Sequence, residues 1–139
     1  MIKKIYLSKI SKKSFQTSNN LFQSFKYAFA GIVYCFAYTR NFRIQIFCGL
    51  LVLISGIYFN LNPLEWLLIS AAISSVLVLE LLNTANESIV DLIVDKKFRK
   101  LAKIAKDCSA AAVLLTSLNA TFVAAYIFLP KIKILLFNL

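Results

Sequence analysis

Polar and apolar positions alternate in long blocks along the chain, and each block predicts one element. Residues 1–20 are rich in Lys and Ser. Between 21 and 37 the apolar residues Leu21, Phe22, Phe25, Phe29, Ile32, Val33 and Phe36 recur at steps of three and four, the period of a helix. With Lys26 and its aromatics, this segment predicts an amphipathic helix over 20–38 lying in the membrane interface. Residues 44–61 hold no charge, and eighteen positions just suffice to cross a hydrocarbon core. The turn at 60–63 ends this first span, with Tyr58 and Trp66 as interfacial anchors on either side. A second span is expected over 64–94, apolar from Trp66 to Leu79 and then polar with helical spacing. The third covers 106–129, free of charge from Cys108 onward, with Pro130 as its stop and a short tail over 131–139. The predicted architecture is an all-α membrane protein: an N-terminal amphipathic surface helix plus three transmembrane helices, one domain over 20–130 behind a basic tail over 1–19.

Composition agrees with that pattern. The chain is 60% hydrophobic and only 16% charged, against about 25% charged in ordinary soluble domains. A soluble fold of 139 residues could not hide so much apolar surface. Of sixteen Lys and Arg, eight precede Ile44 and six lie from Lys96 to Lys106, while the turn at 60–63 carries none. The positive-inside rule therefore puts the N-terminus and the loop over 95–106 of this multi-pass protein in the cytoplasm. No basic module with interleaved aromatics stands outside the spans, so the net charge of +10 is not read as a nucleic-acid surface. No clean apolar stretch follows the basic start, which argues against a cleaved signal peptide. Three cysteines without a CxxC pair, and no histidine, argue against zinc or disulfides; Cys35, Cys48 and Cys108 are expected as small packing residues.

The chemistry concentrates in ELLNTANESIVD, residues 80–91. At about 100° per residue, Glu80, Asn83, Thr84, Glu87 and Asp91 share one stripe of a helix. Taking about 1.5 Å of rise per residue from Trp66, Glu80 lies about 21 Å into a core about 30 Å thick, and Glu87 about 31 Å along, near water. A carboxylate in hydrocarbon costs on the order of 2.5–3.5 kcal/mol, so it has a partner or a job. Glu80 either meets a group arriving from the lipid, or the stripe is a polar clamp between helices. Lys106 and Asp107 open the third span on the same side; Lys106 suits a phosphate or serves as a positive flank.

These residues also resemble a family. The pattern E-x-x-N-T-A-x-E-x-x-V-D (Glu80, Asn83, Thr84, Ala85, Glu87, Val90, Asp91) is similar to that of the prokaryotic diacylglycerol kinase/undecaprenol kinase family. So are A-K-D-x-x-A-A-A-V over 105–113, SFKYAFAGI over 24–32 and RNFRIQ over 40–45. The resemblance implies a homotrimer whose active sites are shared between neighbouring subunits, transferring the γ-phosphate of Mg-ATP to the hydroxyl of diacylglycerol or undecaprenol. It implies Glu80 as catalytic base toward the lipid substrate, Glu87 as the ligand of the Mg2+ cofactor, and Asn83 and Asp91 as supporting residues. Tyr27, Glu87, Lys106 and Asp107 would bind ATP. RNFRI and IFLPK resemble the undecaprenol branch more closely. With glycine only at positions 31, 49 and 56, no Walker loop exists.

Thr39 stands where the family usually has a glutamate that is a second metal ligand, and a neutral hydroxyl is a poorer one. Asn86 replaces a usual aliphatic residue about 120° from the stripe, which suggests another helix contact. Gln45 replaces a histidine or acid, and Asn20 a common arginine. The loss at Thr39 motivates the alternative of a non-catalytic scaffold or lipid binder. An ion pathway lined by Glu80, Glu87 and Asp91 is disfavoured, because nothing ionisable continues it past Glu80 toward the outer face.

Overall fold

The computed structural model describes residues 20–137; the basic tail expected over 1–19 lies outside the described residues. Four helices follow in order: α1 (Leu21–Tyr38), α2 (Arg40–Tyr58), α3 (Pro63–Ile93) and α4 (Lys100–Phe137). No strand occurs among the described residues. α2, α3 and α4 are each long and apolar enough to cross a membrane. The chain divides into two compact units, one ending at Arg40 and one beginning at Asn41.

In the first unit, the Asn20 side chain accepts from the Phe22 N–H at 3.3 Å and caps α1. Phe22, Phe25 and Phe29 are exposed along it. Thr39 closes its far end: its backbone N–H and its hydroxyl both donate to the Cys35 carbonyl, each at 2.8 Å.

In the second unit, the turn from α2 to α3 is tightly specified. Asn60 takes the left-handed conformation (φ 48°), and the Leu61 N–H donates to Gly56 O at 3.1 Å. Asn62 and Glu65 form a reciprocal capping box, with Pro63 at the first helical position. Gly56 is required there, because a Cβ would sit 2.8 Å from the Trp66 ring. Leu61, Ile69 and Ile127 form the buried cluster above this turn, with Trp66, Val123 and Phe128 packed on it. Large apolar side chains elsewhere on the spans, among them Leu67, Leu82, Leu115 and Phe122, remain exposed, as lipid-facing residues are.

α3 and α4 are the closest-packed pair. Between them Asp95 and Lys96 take left-handed conformations (φ 50° and 56°), which reverses the chain in a short turn. Pro130, expected to stop the third span, lies inside α4, which runs on to Phe137. A proline removes one N–H, but in apolar surroundings no water competes for the other backbone groups, so the helix holds. Lys131, the next residue, is tied to Glu65 of α3 at 3.1 Å.

Candidate active site

The i, i+3, i+4, i+7 spacing of the polar motif brings Glu80, Asn83, Thr84 and Glu87 onto one face of α3, with Asp91 a turn further on. Burial falls along that face from Glu80 to Glu87 and is partly regained at Asp91. Glu80 is 3% exposed, Asn83 and Thr84 are buried, Asp91 is half-buried and Glu87 is exposed. The Thr84 hydroxyl donates to the Glu80 backbone carbonyl at 2.9 Å and so turns its polar group inward.

Two amide–carboxylate pairs define the buried end. Gln45 of α2 donates from Nε2 to Glu80 Oε2 at 3.1 Å. Asn83 donates from Nδ2 to Glu87 Oε1 at 3.1 Å. A carboxylate accepts only, so each amide must turn its N–H toward the acid. The carbonyl oxygens, Gln45 Oε1 and Asn83 Oδ1, are then left buried with no hydrogen-bond partner among the described residues. Such orphaned acceptors are rare in folded proteins and call for a donor or a cation.

At the exposed end, Lys106 of α4 forms an ion pair with Asp91 of α3. Asp107, next in sequence, pairs instead with Lys103 on its own helix. The Asn86 side chain donates to the Ala105 carbonyl at 3.3 Å, so this departure from the usual aliphatic residue holds α3 to α4 beside Lys106. A cavity of about 430 Å³ opens here, edged by Asp91 and Asp107 and by Lys96, Lys97, Arg99, Lys103 and Lys106. Its excess of cations suits an anion with several charges, such as a chain of phosphates. A second cavity, of about 440 Å³, lies between α2, α3 and α4 and is lined by Gln45, Gly49, Val52, Ala72, Val76 and Ala120 among others. It is apolar except near Gln45, Ser117 and Thr121, and suits a hydrocarbon chain.

Tyr27 and Thr39 belong to the first unit, where Tyr27 is half-buried and the Thr39 hydroxyl is spent on Cys35. No group of three or more His, Cys, Asp or Glu side chains converges among the described residues. Gln45 was legible only as a departure from a pattern, although an amide at the edge of a charge-free span is itself a signal. The role of Asn86 required the α3–α4 packing.

Residues 26–128 match the family described as prokaryotic diacylglycerol kinase. The chain belongs to this family. A diacylglycerol kinase of Synechocystis sp. is 43% identical over 123 residues, covering 88% of this chain and 70% of the relative. An undecaprenol kinase of Bacillus subtilis is 41% identical over 114 residues, covering 82% and 92%. As a member of the prokaryotic diacylglycerol kinase family the chain is a membrane lipid kinase, and the matched stretch holds every candidate residue from Tyr27 to Asp107.

Proposed function

We propose that this kinase transfers the γ-phosphoryl group of ATP to the hydroxyl of undecaprenol or diacylglycerol at the cytoplasmic face of the bacterial inner membrane. The observation that carries this reading is the graded face of α3. A buried carboxylate, Glu80, stands at the apolar end and an exposed one, Glu87, lies a turn before Asp91, which edges the basic cavity. A lipid alcohol and a nucleotide approach from opposite media, and such a face offers one group to each.

In the proposed reaction Glu80 takes the proton of the lipid hydroxyl as its oxygen bonds to the γ-phosphorus. The bond from that phosphorus to the β-phosphate oxygen breaks, and ADP leaves. Phosphoryl transfer asks mainly for alignment and neutralisation of charge, and a base helps only if it reaches the acceptor oxygen. The cavity bordered by Gln45 and Val76 would hold the adjoining hydrocarbon. Lys106 and Asp107 would contact the nucleotide, and Asp91 would hold the Lys106 ammonium at the cavity mouth.

The donor set fits magnesium. Mg2+ commonly takes one or two protein carboxylates and fills its shell with phosphate oxygens and water. Glu87 offers a carboxylate, and the orphaned Asn83 Oδ1 beside it offers a second hard oxygen. When bound, the ion would supply charge neutralisation to the phosphates. The resemblance implies a carboxylate ligand where this chain has Thr39, whose hydroxyl is given to the Cys35 carbonyl, so the ion should be held weakly. Sites shared between subunits of a homotrimer complete the proposal, as the family resemblance implies. RNFRI and IFLPK favour undecaprenol as the acceptor.

The test is phosphorylation in mixed micelles with radiolabelled ATP and magnesium, offering undecaprenol and diacylglycerol separately. Label in one lipid, lost in Glu80→Gln, supports the reading and names the acceptor. No label in either from folded protein at high magnesium would overturn it in favour of a lipid-binding scaffold.

A further inference from the structure

Gln45 is the residue of the buried site that the functional reading leaves without a task. Its Nε2 bonds Glu80 Oε2 at 3.1 Å, and its Oε1 is buried and unpartnered. Among the described residues Glu80 makes no other side-chain hydrogen bond, so Gln45 fixes the plane of that carboxylate. An orphaned buried acceptor is destabilising. Here the cost follows from the charge on Glu80: only with a carboxylate opposite must the amide present its N–H.

Once Glu80 carries a proton, the preference reverses. The acid then has an O–H to donate, and half a turn of the Gln45 amide about its last side-chain bond would bring Oε1 to accept it. We propose that Gln45 is a positioning residue that partners Glu80 in both protonation states, through Nε2 when the base is ionised and through Oε1 when it is protonated. The inference rests on Glu80 being the base of the proposed reaction. In that reaction the hydroxyl proton passes to Glu80 as the new P–O bond forms, and the rotated amide then holds the neutral acid until the proton leaves. A histidine or an acid at this position would itself titrate; glutamine does the same work without changing charge.

The surroundings leave Gln45 as the principal polar influence on Glu80 in its unit. Along α2, residues 44–58 hold only Cys48 and Tyr58 as titratable groups, and Arg43 before them is exposed. Along α4, residues 108–130 hold only Cys108 and Tyr126. On α3 itself the following acid, Glu87, is bonded to Asn83, and Asp91 to Lys106.

The experiment uses the full chain reconstituted in lipid, with Gln45→Met, which keeps length and volume, and Gln45→Glu. Infrared difference spectra across a pH titration read the carboxyl band that disappears in Glu80→Gln. The expected result for Gln45→Met is a band at higher frequency, that of an acid without a hydrogen-bond acceptor, with a displaced titration midpoint. Its kcat should fall about tenfold or more, with KM for ATP within about twofold of wild type. Gln45→Glu should raise the pH optimum, because two neighbouring carboxyls share one proton more readily than none. An unchanged band and midpoint in Gln45→Met overturns the inference, as does an unchanged pH profile in Gln45→Glu should the Met variant not fold. The infrared titration needs no turnover. A wild type that labels no lipid but shows the Gln45-dependent band would refute the proposed reaction and leave the pairing standing.

Discussion

The two ends of the α3–α4 pair are built from the same parts, a carboxylate, an amide and a lysine, and use them in opposite ways. At the end carrying the α2–α3 turn, the carboxylate, the amide oxygen and the lysine of the cap each have a partner. Glu65 accepts from the Asn62 backbone N–H at 2.8 Å and from Lys131 at 3.1 Å, while Asn62 Oδ1 accepts from the Glu65 N–H at 2.9 Å. Gly56 lets the Trp66 ring close against the turn. At the other end the amides of Gln45 and Asn83 give their N–H groups to carboxylates and keep their carbonyl oxygens unpaired. A saturated network makes a fold rigid; an unsaturated one stores capacity to bind. The first end reads as structure and the second as a site awaiting its substrates.

The largest way to break that contrast is Glu80→Gln. If Glu80 is the base, kcat should fall by about 10²–10⁴, the usual worth of a positioned general base. The variant should melt no earlier than wild type, because a neutral side chain replaces a buried charge. Steady-state labelling and thermal unfolding in detergent measure both. A melting temperature lowered along with a modest loss of kcat would return Glu80 to the role of helix clamp. Glu87→Gln comes next. Its amide keeps a hydrogen-bonding group beside Asn83 but loses the anionic oxygen, so activity should fall by roughly 10–100-fold and recover in part at high magnesium. Equal loss at all magnesium concentrations would deny it a metal.

How much of this was legible in the sequence follows from the range of each interaction. Periodicity fixes the helices, because a span must keep its apolar run and α3 must keep its stripe; the grading from Glu80 to Glu87 follows from position along one helix. Pro130 misled for a physical reason: a residue that ends helices in water is tolerated in apolar surroundings, and the Glu65–Lys131 pair beyond it depends on two helices meeting. Gln45 facing Glu80, Asn86 reaching Ala105 and Lys106 reaching Asp91 likewise join different helices, which no local spacing reveals. Lys103 with Asp107, at i and i+4, was within reach of the helical period.

A smaller effect sharpens the site end. Thr39→Glu restores the charge type usual at that position and removes a hydroxyl that caps α1 through Cys35. If the family ligand set applies, the magnesium concentration for half-maximal activity should drop several-fold, with little change in kcat at saturation. An unchanged magnesium requirement, measured by titration at fixed ATP, would mean that the metal is held without this position.

The smallest expected effect on activity belongs to the saturated end. Lys131→Met keeps the length of the side chain and deletes the charge facing Glu65. Both partners are largely covered, at 24% and 20% side-chain exposure, so the pair is screened less than one in open water. Losing it should lower the melting temperature by a few degrees and leave kcat and KM for ATP within experimental error. Adding Glu65→Gln should then cost little more, because the capping box can be kept by an amide oxygen. A fall in kcat in Lys131→Met would show that the rigid end sets the geometry of the reactive one, since Glu65 lies about four helical turns from Glu80 along α3.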